Sequence, residues 1–170
     1  MNGAIEIRHA ARDDLLNIAA FFDDCWRSAY RRIISDEYLN ALSASKRHKG
    51  YLARYDEGAS EFLMMYDGDD LIGASVFGKS FTEGYPDDGE LSAIYLRHDC
   101  IGKGLGHTLF EKAEQRLAER GYSYFVLDVL AANTRAVSFY EKHGFIKVDE
   151  RSITIGADDY PLLVFRKKAQ

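Results

Sequence analysis

A chain of 170 residues, 46% hydrophobic and 29% charged, has the length of about one domain and enough apolar material to fill one core. With 11 tyrosines and 10 phenylalanines, that balance excludes disordered, collagen-like and coiled-coil classes. The formal net charge of −5 opposes sequence-independent binding to a phosphate backbone, so no nucleic-acid partner is expected. The two cysteines, Cys25 and Cys100, are too few for a disulfide framework and suit a reducing compartment. Glu6, Arg8, Arg12, Asp13 and Asp14 leave no room for the apolar core of a secretion signal. Apolar stretches such as Leu71 to Phe77 fall far short of the ~20 residues a membrane-spanning helix needs. A cytoplasmic protein with no membrane association is expected.

In chain order, Ile5 and Ile7 suggest a short first strand. Leu15, Ile18, Ala19, Phe22 and Trp26 then recur at helical spacing. Ser35 or Asp36 caps a short helix holding Tyr38, Leu39 and Leu42, and residues 46–55 read either as a third helix or as an ordered connection. Glu61 to Tyr66 and Leu71 to Phe77 are apolar runs separated by Asp67-Gly68-Asp69-Asp70, the chemistry of a tight antiparallel hairpin. Residues 78–89 form an acidic, glycine-containing loop.

The next strand is Glu90 to Leu96. After a glycine-rich loop, Leu105, Leu109, Phe110, Ala113 and Leu117 mark a helix that stops at Gly121. Tyr124 to Val129 follows as a buried strand, which makes strand, helix and strand one right-handed parallel crossover. Asn133 opens a helix through Phe139 and Tyr140 to His143. Phe145 to Asp149 and Pro161 to Arg166 close the sheet around a turn at Gly156, Asp158 and Asp159. The expectation is one mixed α/β domain over residues 1–170, of three-layer αβα type, with antiparallel N-terminal strands.

Two glycine motifs compete for a phosphate. Gly73-Ala-Ser-Val-Phe-Gly-Lys-Ser80 matches the phosphate-binding P-loop as a string, but that mechanism needs a loop followed by a helix opening at the serine. Here Ala74, Val76 and Phe77 continue a strand, and the acids after Phe81 repel a triphosphate. Gly102-Lys103-Gly104-Leu105-Gly106 has the right context, between a strand and a long helix. Glycines admit a phosphate to the backbone there, first-turn amides donate to it, and the helix dipole favours negative charge. Neither register fits the dinucleotide fingerprint, because His107 and Leu109 stand where its last glycine belongs.

The blocks Glu90-Leu-Ser-Ala-Ile-Tyr-Leu96, Ile101-Gly-Lys-Gly-Leu-Gly106 and Asn133-Thr-Arg-Ala-Val-Ser-Phe-Tyr-Glu-Lys-His-Gly-Phe145 together resemble the GNAT family of acetyl-CoA-dependent N-acetyltransferases. The resemblance implies that the backbone of Ile94, Tyr95 and Leu96 lines the pantetheine arm. Ile101 and Gly102 to His107, which include Lys103, Gly104, Leu105 and Gly106, would cradle the pyrophosphate. Asn133 and Tyr140 would flank the cofactor's reactive end, and Lys142 would also bind the cofactor. Ile101 departs from the family's usual Gln or Arg, which implies lost side-chain contacts with the amide retained.

An amine attacks only when neutral, and a lysine-like amine has a reference pKa near ~10.4, so acetyl transfer needs a base. Glu90 is the candidate, against the reading of a solvated strand-end acid beside Asp87 and Asp88. Tyr140 is the candidate acid for the departing thiolate, against a core tyrosine with a satisfied hydroxyl. His9, His48, His98, His107 and His143 form no ligand pair with either cysteine, so no metal is expected.

The resemblance places the acceptor among the first helices and the loop before the fourth strand. Trp26, Tyr30 and Tyr85, with Glu83, Asp87 and Asp88, would there receive a cationic amine. Polyamine, lysine side chain, protein N-terminus and amino-sugar stay open, as does an assembly of two copies. The rival function is a non-catalytic CoA-binding module, which would need neither Glu90 nor Tyr140.

Overall fold

The computed structural model describes residues 4–169. Residues 1–3 and 170, the two ends of the expected domain, lie outside the described residues. Seven strands, β1 (Ile5–His9), β2 (Ser60–Asp67), β3 (Asp70–Lys79), β4 (Gly89–Leu96), β5 (Tyr124–Leu130), β6 (Ile146–Ile155) and β7 (Asp158–Lys168), form one sheet in the order β1-β2-β3-β4-β5-β7-β6. Every pairing is antiparallel except β4 with β5. The fold is therefore the expected three-layer αβα sheet, with its parallel crossover at the glycine-rich loop.

Helices α1 (Leu15–Ala29), α2 (Asp36–Asn40) and α3 (Ala44–Asp56) fill the segment between β1 and β2. Ser35 caps α2 by accepting from the Tyr38 amide at 3.3 Å. Ser43 caps α3 by accepting from the Lys46 amide at 3.4 Å, so the ambiguous stretch is a helix. Helix α4 (Leu105–Glu119) carries the crossover, and α5 (Thr134–Lys142) follows β5.

The two faces of the sheet are both apolar. Phe62, Met64, Ala74 and Val76 pack with Leu15, Ile18 and Phe22 of α1 on one side. Leu63, Met65, Ile72 and Phe77 pack with Leu109, Phe110 and Ala113 of α4 on the other. A strand covered on both faces has no polar side to show, which is why β2 and β3 read as continuous apolar runs. A smaller cluster of Tyr30, Ile34, Leu39, Leu130 and Ile155 joins the end of α1 and α2 to β5 and β6.

In β4 the register against β3 slips by one residue. Val76 faces Ala93 and Phe77 faces Leu91, so Ser92 is a bulge. Leu91, Ile94 and Leu96 accordingly join the α4 side, while Ala93 and Tyr95 join the α1 side. The hairpin β6–β7 is longer than the sequence pattern suggests, running to the pair Ile155↔Asp158 with Gly156 and Ala157 as its turn. Polar residues such as Thr154 and Asp159, bonded at 2.6 Å, form this exposed tip, where alternation with apolar residues is lost. Among the described residues, no helix is long and apolar enough to cross a membrane.

The P-loop-like string lies on β3 and its exit, with no helix after it. Its Gly78 is required by packing: a Cβ there would come 2.2 Å from the Ala59 carbonyl oxygen, which accepts from the Lys79 amide at 2.8 Å. Gly78→Ala is expected to destabilise the fold by about 1–3 kcal/mol, as for other overpacked sites. Urea denaturation followed by Trp26 fluorescence checks this, and saturating ATP should leave the unfolding midpoint unchanged.

Candidate active site

Parallel pairing between β4 and β5 is confined to Gly89↔Phe125 and Glu90↔Val126. Beyond these pairs, at the Ser92 bulge, the strands diverge. A cavity of about 590 Å³ occupies the gap, within the size range of small-molecule sites. Its walls are Ser92 to Leu96 of β4, Asp128 to Leu130 of β5, the C-terminal end of α1, and α5.

On the α4 side the cavity meets the glycine-rich loop through Ile101, Gly106 and Phe139. Gly102 and Gly104 both have φ +81°, and a Cβ at either would touch nothing within 4 Å. Glycine is demanded there by backbone conformation, and the space above it is open. Among the described residues, the amides from Gly102 to Gly106 make no backbone hydrogen bond, so they and the α4 dipole form an anion-binding end. This arrangement fits a pyrophosphate.

Leu105 contributes only its amide, since its side chain is buried in the core. His107 is exposed, with Nδ1 2.7 Å from His143 Nε2 and Nε2 3.1 Å from Glu111. Lys103 is exposed on the loop, and Lys142 is exposed at the end of α5 and lies off the cavity wall.

Asn133 and the tyrosines converge from three elements, the end of α1, β4 and α5. The Asn133 side chain caps α5 by accepting from the Ala136 amide at 3.2 Å, and its Nδ2 donates to the Tyr30 hydroxyl at 3.3 Å. That hydroxyl lies 3.3 Å from the Tyr95 hydroxyl. Tyr140 is buried against the α4–α5 core and lines the cavity. Burial, and then Tyr30, holds its phenol well above the ordinary range. Tyr95 is likewise raised, by burial first and then by Tyr30. Tyr95 was expected through its backbone; the bulge turns its side chain to the α1 face and adds a third phenol. Trp26 also lines the cavity, its ring centroid 4.7 Å from that of Tyr30.

The acids fall differently from the sequence expectation. Glu90 is buried, and its carboxylate accepts from the Phe81 amide at 2.6 Å, the Thr82 amide at 3.0 Å, the Thr82 hydroxyl at 3.1 Å, the Ser80 hydroxyl at 3.4 Å and the Ser92 hydroxyl at 2.7 Å. It is neither a solvated strand-end acid nor part of the cavity wall. It ties residues 80–82 to the bulge.

Asp88 is buried in a two-bond ion pair with Arg166, at 2.6 and 2.9 Å, and Tyr85 lies 5.4 Å from the same guanidinium, off the cavity wall. Glu83 and Asp87 are exposed outside the cavity. The acid that does line it is Asp128, pushed up to about 6 by desolvation and then by Glu90. The sequence carried a signal for it: one carboxylate inside the otherwise apolar run Phe125 to Leu130.

Cys25 also lines the cavity, but burial pushes its thiol up to about 12 and its Sγ donates to the Leu96 carbonyl at 3.6 Å. Cys100 is raised by burial too. Among the described residues, no cluster of three or more His, Cys, Asp or Glu side chains is placed to hold a metal.

Comparison with known proteins places the chain in a family. The acetyltransferase (GNAT) family model matches residues 20–145. YuaI of Bacillus subtilis (strain 168), named an uncharacterized N-acetyltransferase, is 31% identical over 153 residues, covering 89% of this chain and 86% of that protein. The spermidine N(1)-acetyltransferase of Thermoplasma acidophilum is 28% identical, covering 91% of this chain and 94% of its own length. The crystal structure of PaiA N-acetyltransferase from Thermoplasma acidophilum in complex with coenzyme A matches with a TM-score of 0.77 at 27% identity, covering 97% of this chain and 99% of that one. The chain belongs to the GNAT family of acetyltransferases.

Glu90→Gln neutralises the carboxylate that accepts from Phe81, Thr82 and Ser80 and leaves its two amide hydrogens only the Ser92 hydroxyl as acceptor. The substitution is expected to destabilise the protein by about 1–3 kcal/mol, the scale of unsatisfied buried polar groups. Chemical denaturation of both proteins measures the difference; equal stability would show that the tie to residues 80–82 is dispensable.

Proposed function

We propose that this protein transfers an acetyl group from acetyl-CoA to a primary amine by direct attack in a ternary complex. The single observation that carries the reading is the continuous cavity. It runs from the anion-binding end of α4, through the gap between β4 and β5, to a second compartment beside α1 and β6. Two substrates can therefore meet in the gap from opposite sides of one sheet. The spermidine acetyltransferase among the relatives supports an amine as acceptor.

Acetyl-CoA supplies an acyl group already activated as a thioester. Ile94 and Leu96 present backbone and apolar side chains along its arm, and the amides from Gly102 to Gly106 receive its pyrophosphate. Tyr140 presents an O–H to the departing sulfur, and burial keeps that phenol protonated until it is used. Neither cysteine supplies a thiolate for a covalent acyl-enzyme, because burial holds both thiols above their ordinary range. Direct attack by the amine is the route left to these side chains.

Release of free thiol on mixing the protein, acetyl-CoA and an amine tests the reading. Binding of acetyl-CoA with no thiol release from any amine would identify a cofactor-binding module instead. Gly104→Glu places bulk and negative charge over the free amides, and calorimetry should find acetyl-CoA binding abolished in the folded variant. Tyr140→Phe removes only a hydroxyl, so acetyl-CoA affinity should stay within about two-fold while turnover falls by about 10²-fold, the lower range for general acid–base catalysis.

A further inference from the structure

The compartment beyond the gap has a composition unlike that of a polyamine site. Its walls include Trp26, Ile33, Leu130, Ile153, Ile155 and Leu162, and Ile153 is 38% exposed. A polyamine carries several ammonium groups, and each one taken out of water needs a charged or polar partner. Of all the residues lining the cavity, Asp128 is the one carboxylate. The other nearby acids are committed or outside: Asp88 to Arg166, Glu90 to residues 80–82 and Ser92, and Glu83 and Asp87 to the exposed loop.

Asp128 stands where the two strands part. It pairs with Val164 on β7, but β5 has no β4 partner beyond Val126. The strand alternates, so Phe125, Leu127 and Val129 join the α4 core and Asp128 points the other way, toward the compartment shared with Leu130. The groups facing it are Glu90 from β4, Thr82 from the preceding loop, and Arg151 and Asp149 from β6. Arg151 is engaged elsewhere, donating to Asp149 at 2.9 Å and to the Glu83 carbonyl at 2.7 Å. Among the described residues Asp128 makes no ion pair; the Thr82 side chain is its hydrogen-bond partner, and the carboxylate still lines the cavity.

We infer that the acceptor is a primary monoamine with an apolar aliphatic or aromatic body, and that Asp128 takes the proton from its ammonium group. This deepens the acetyl transfer proposed above and rests on it. The carboxylate first removes one proton from the ammonium and passes it to solvent. As the C–N bond forms and the C–S bond breaks, sulfur leaves with the Tyr140 proton. The nitrogen gives up its second proton, which restores the phenol. The products are the neutral amide and free thiol, with one proton released overall.

The Asp128 carboxyl, raised to about 6, cannot accept a proton below that pH and is ionised above it. The rate should therefore fall on the acid side with an inflection near that value.

The test compares n-hexylamine and 2-phenylethylamine with putrescine and spermidine, by thiol release from acetyl-CoA. The monoamines should show kcat/KM at least about ten-fold higher, the discrimination a few buried methylenes provide. Asp128→Asn should lower kcat/KM for the better monoamine by about 10²-fold or more at pH 7 and remove the acidic inflection. Its calorimetric affinity for acetyl-CoA should be unchanged. A preference for spermidine, or acetyl-CoA binding with no monoamine acetylated, would overturn the acceptor class. An Asp128→Asn enzyme that keeps its rate and its acidic inflection would overturn the assignment of the base. Failure of the wild-type protein to bind acetyl-CoA would instead reject the underlying acetyltransferase reading.

Discussion

Everything at this site depends on two neighbouring parallel strands that stop pairing. Strands β4 and β5 share two register pairs and then separate, which leaves peptide groups along β4 without a strand partner on one side. Backbone groups inside a sheet normally find each other, and a row that does not is costly unless water or a ligand satisfies it. The Ser92 bulge adds a bend where the separation begins, so the divergence is built into the strand. The price is a sheet weakened at its centre, which the apolar layers on both faces offset. The open edge is suited to an extended arm carrying its own amides.

Glu90 and Asp128 show how one neighbourhood separates two carboxylates into different roles. Glu90 is buried and accepts five hydrogen bonds, so its charge serves to organise the loop at residues 80–82. Asp128, across the parting strands, has the Thr82 side chain as its donor rather than five, and desolvation followed by the neighbouring Glu90 charge displaces its carboxyl upward. Desolvation, and after it the charge of a structural carboxylate, shift a neighbouring acid that lines the cavity.

The phenols extend this logic to the rest of the wall. Tyr30 and Asn133 are 103 residues apart in the chain, yet their side chains bond at 3.3 Å and bridge α1 to the start of α5. Tyr95 joins from the sheet, so three layers are pinned at the cavity by short polar links set in an apolar frame. Such links hold the walls of a wide cavity at fixed spacing, which apolar contact alone does less specifically.

Local features were legible in the sequence because they act over three or four residues. The helical stripe from Leu105 to Leu117, the cap at Asn133, the hairpin between β2 and β3, and the glycines of an anion-binding loop each follow from nearby side chains and backbone freedom. Those features sufficed for the αβα fold and for the loop's place beside a helix N-terminus. Only the tertiary structure decided which acid faces the cavity. That choice depends on a one-residue slip at Ser92 and on where two distant strands part, and no periodicity records either. Glu90 looked like a free acid at a strand end until residues 80–82 folded over it. Asp128 looked like an interruption in a core strand until the absence of a β4 neighbour left it facing open space.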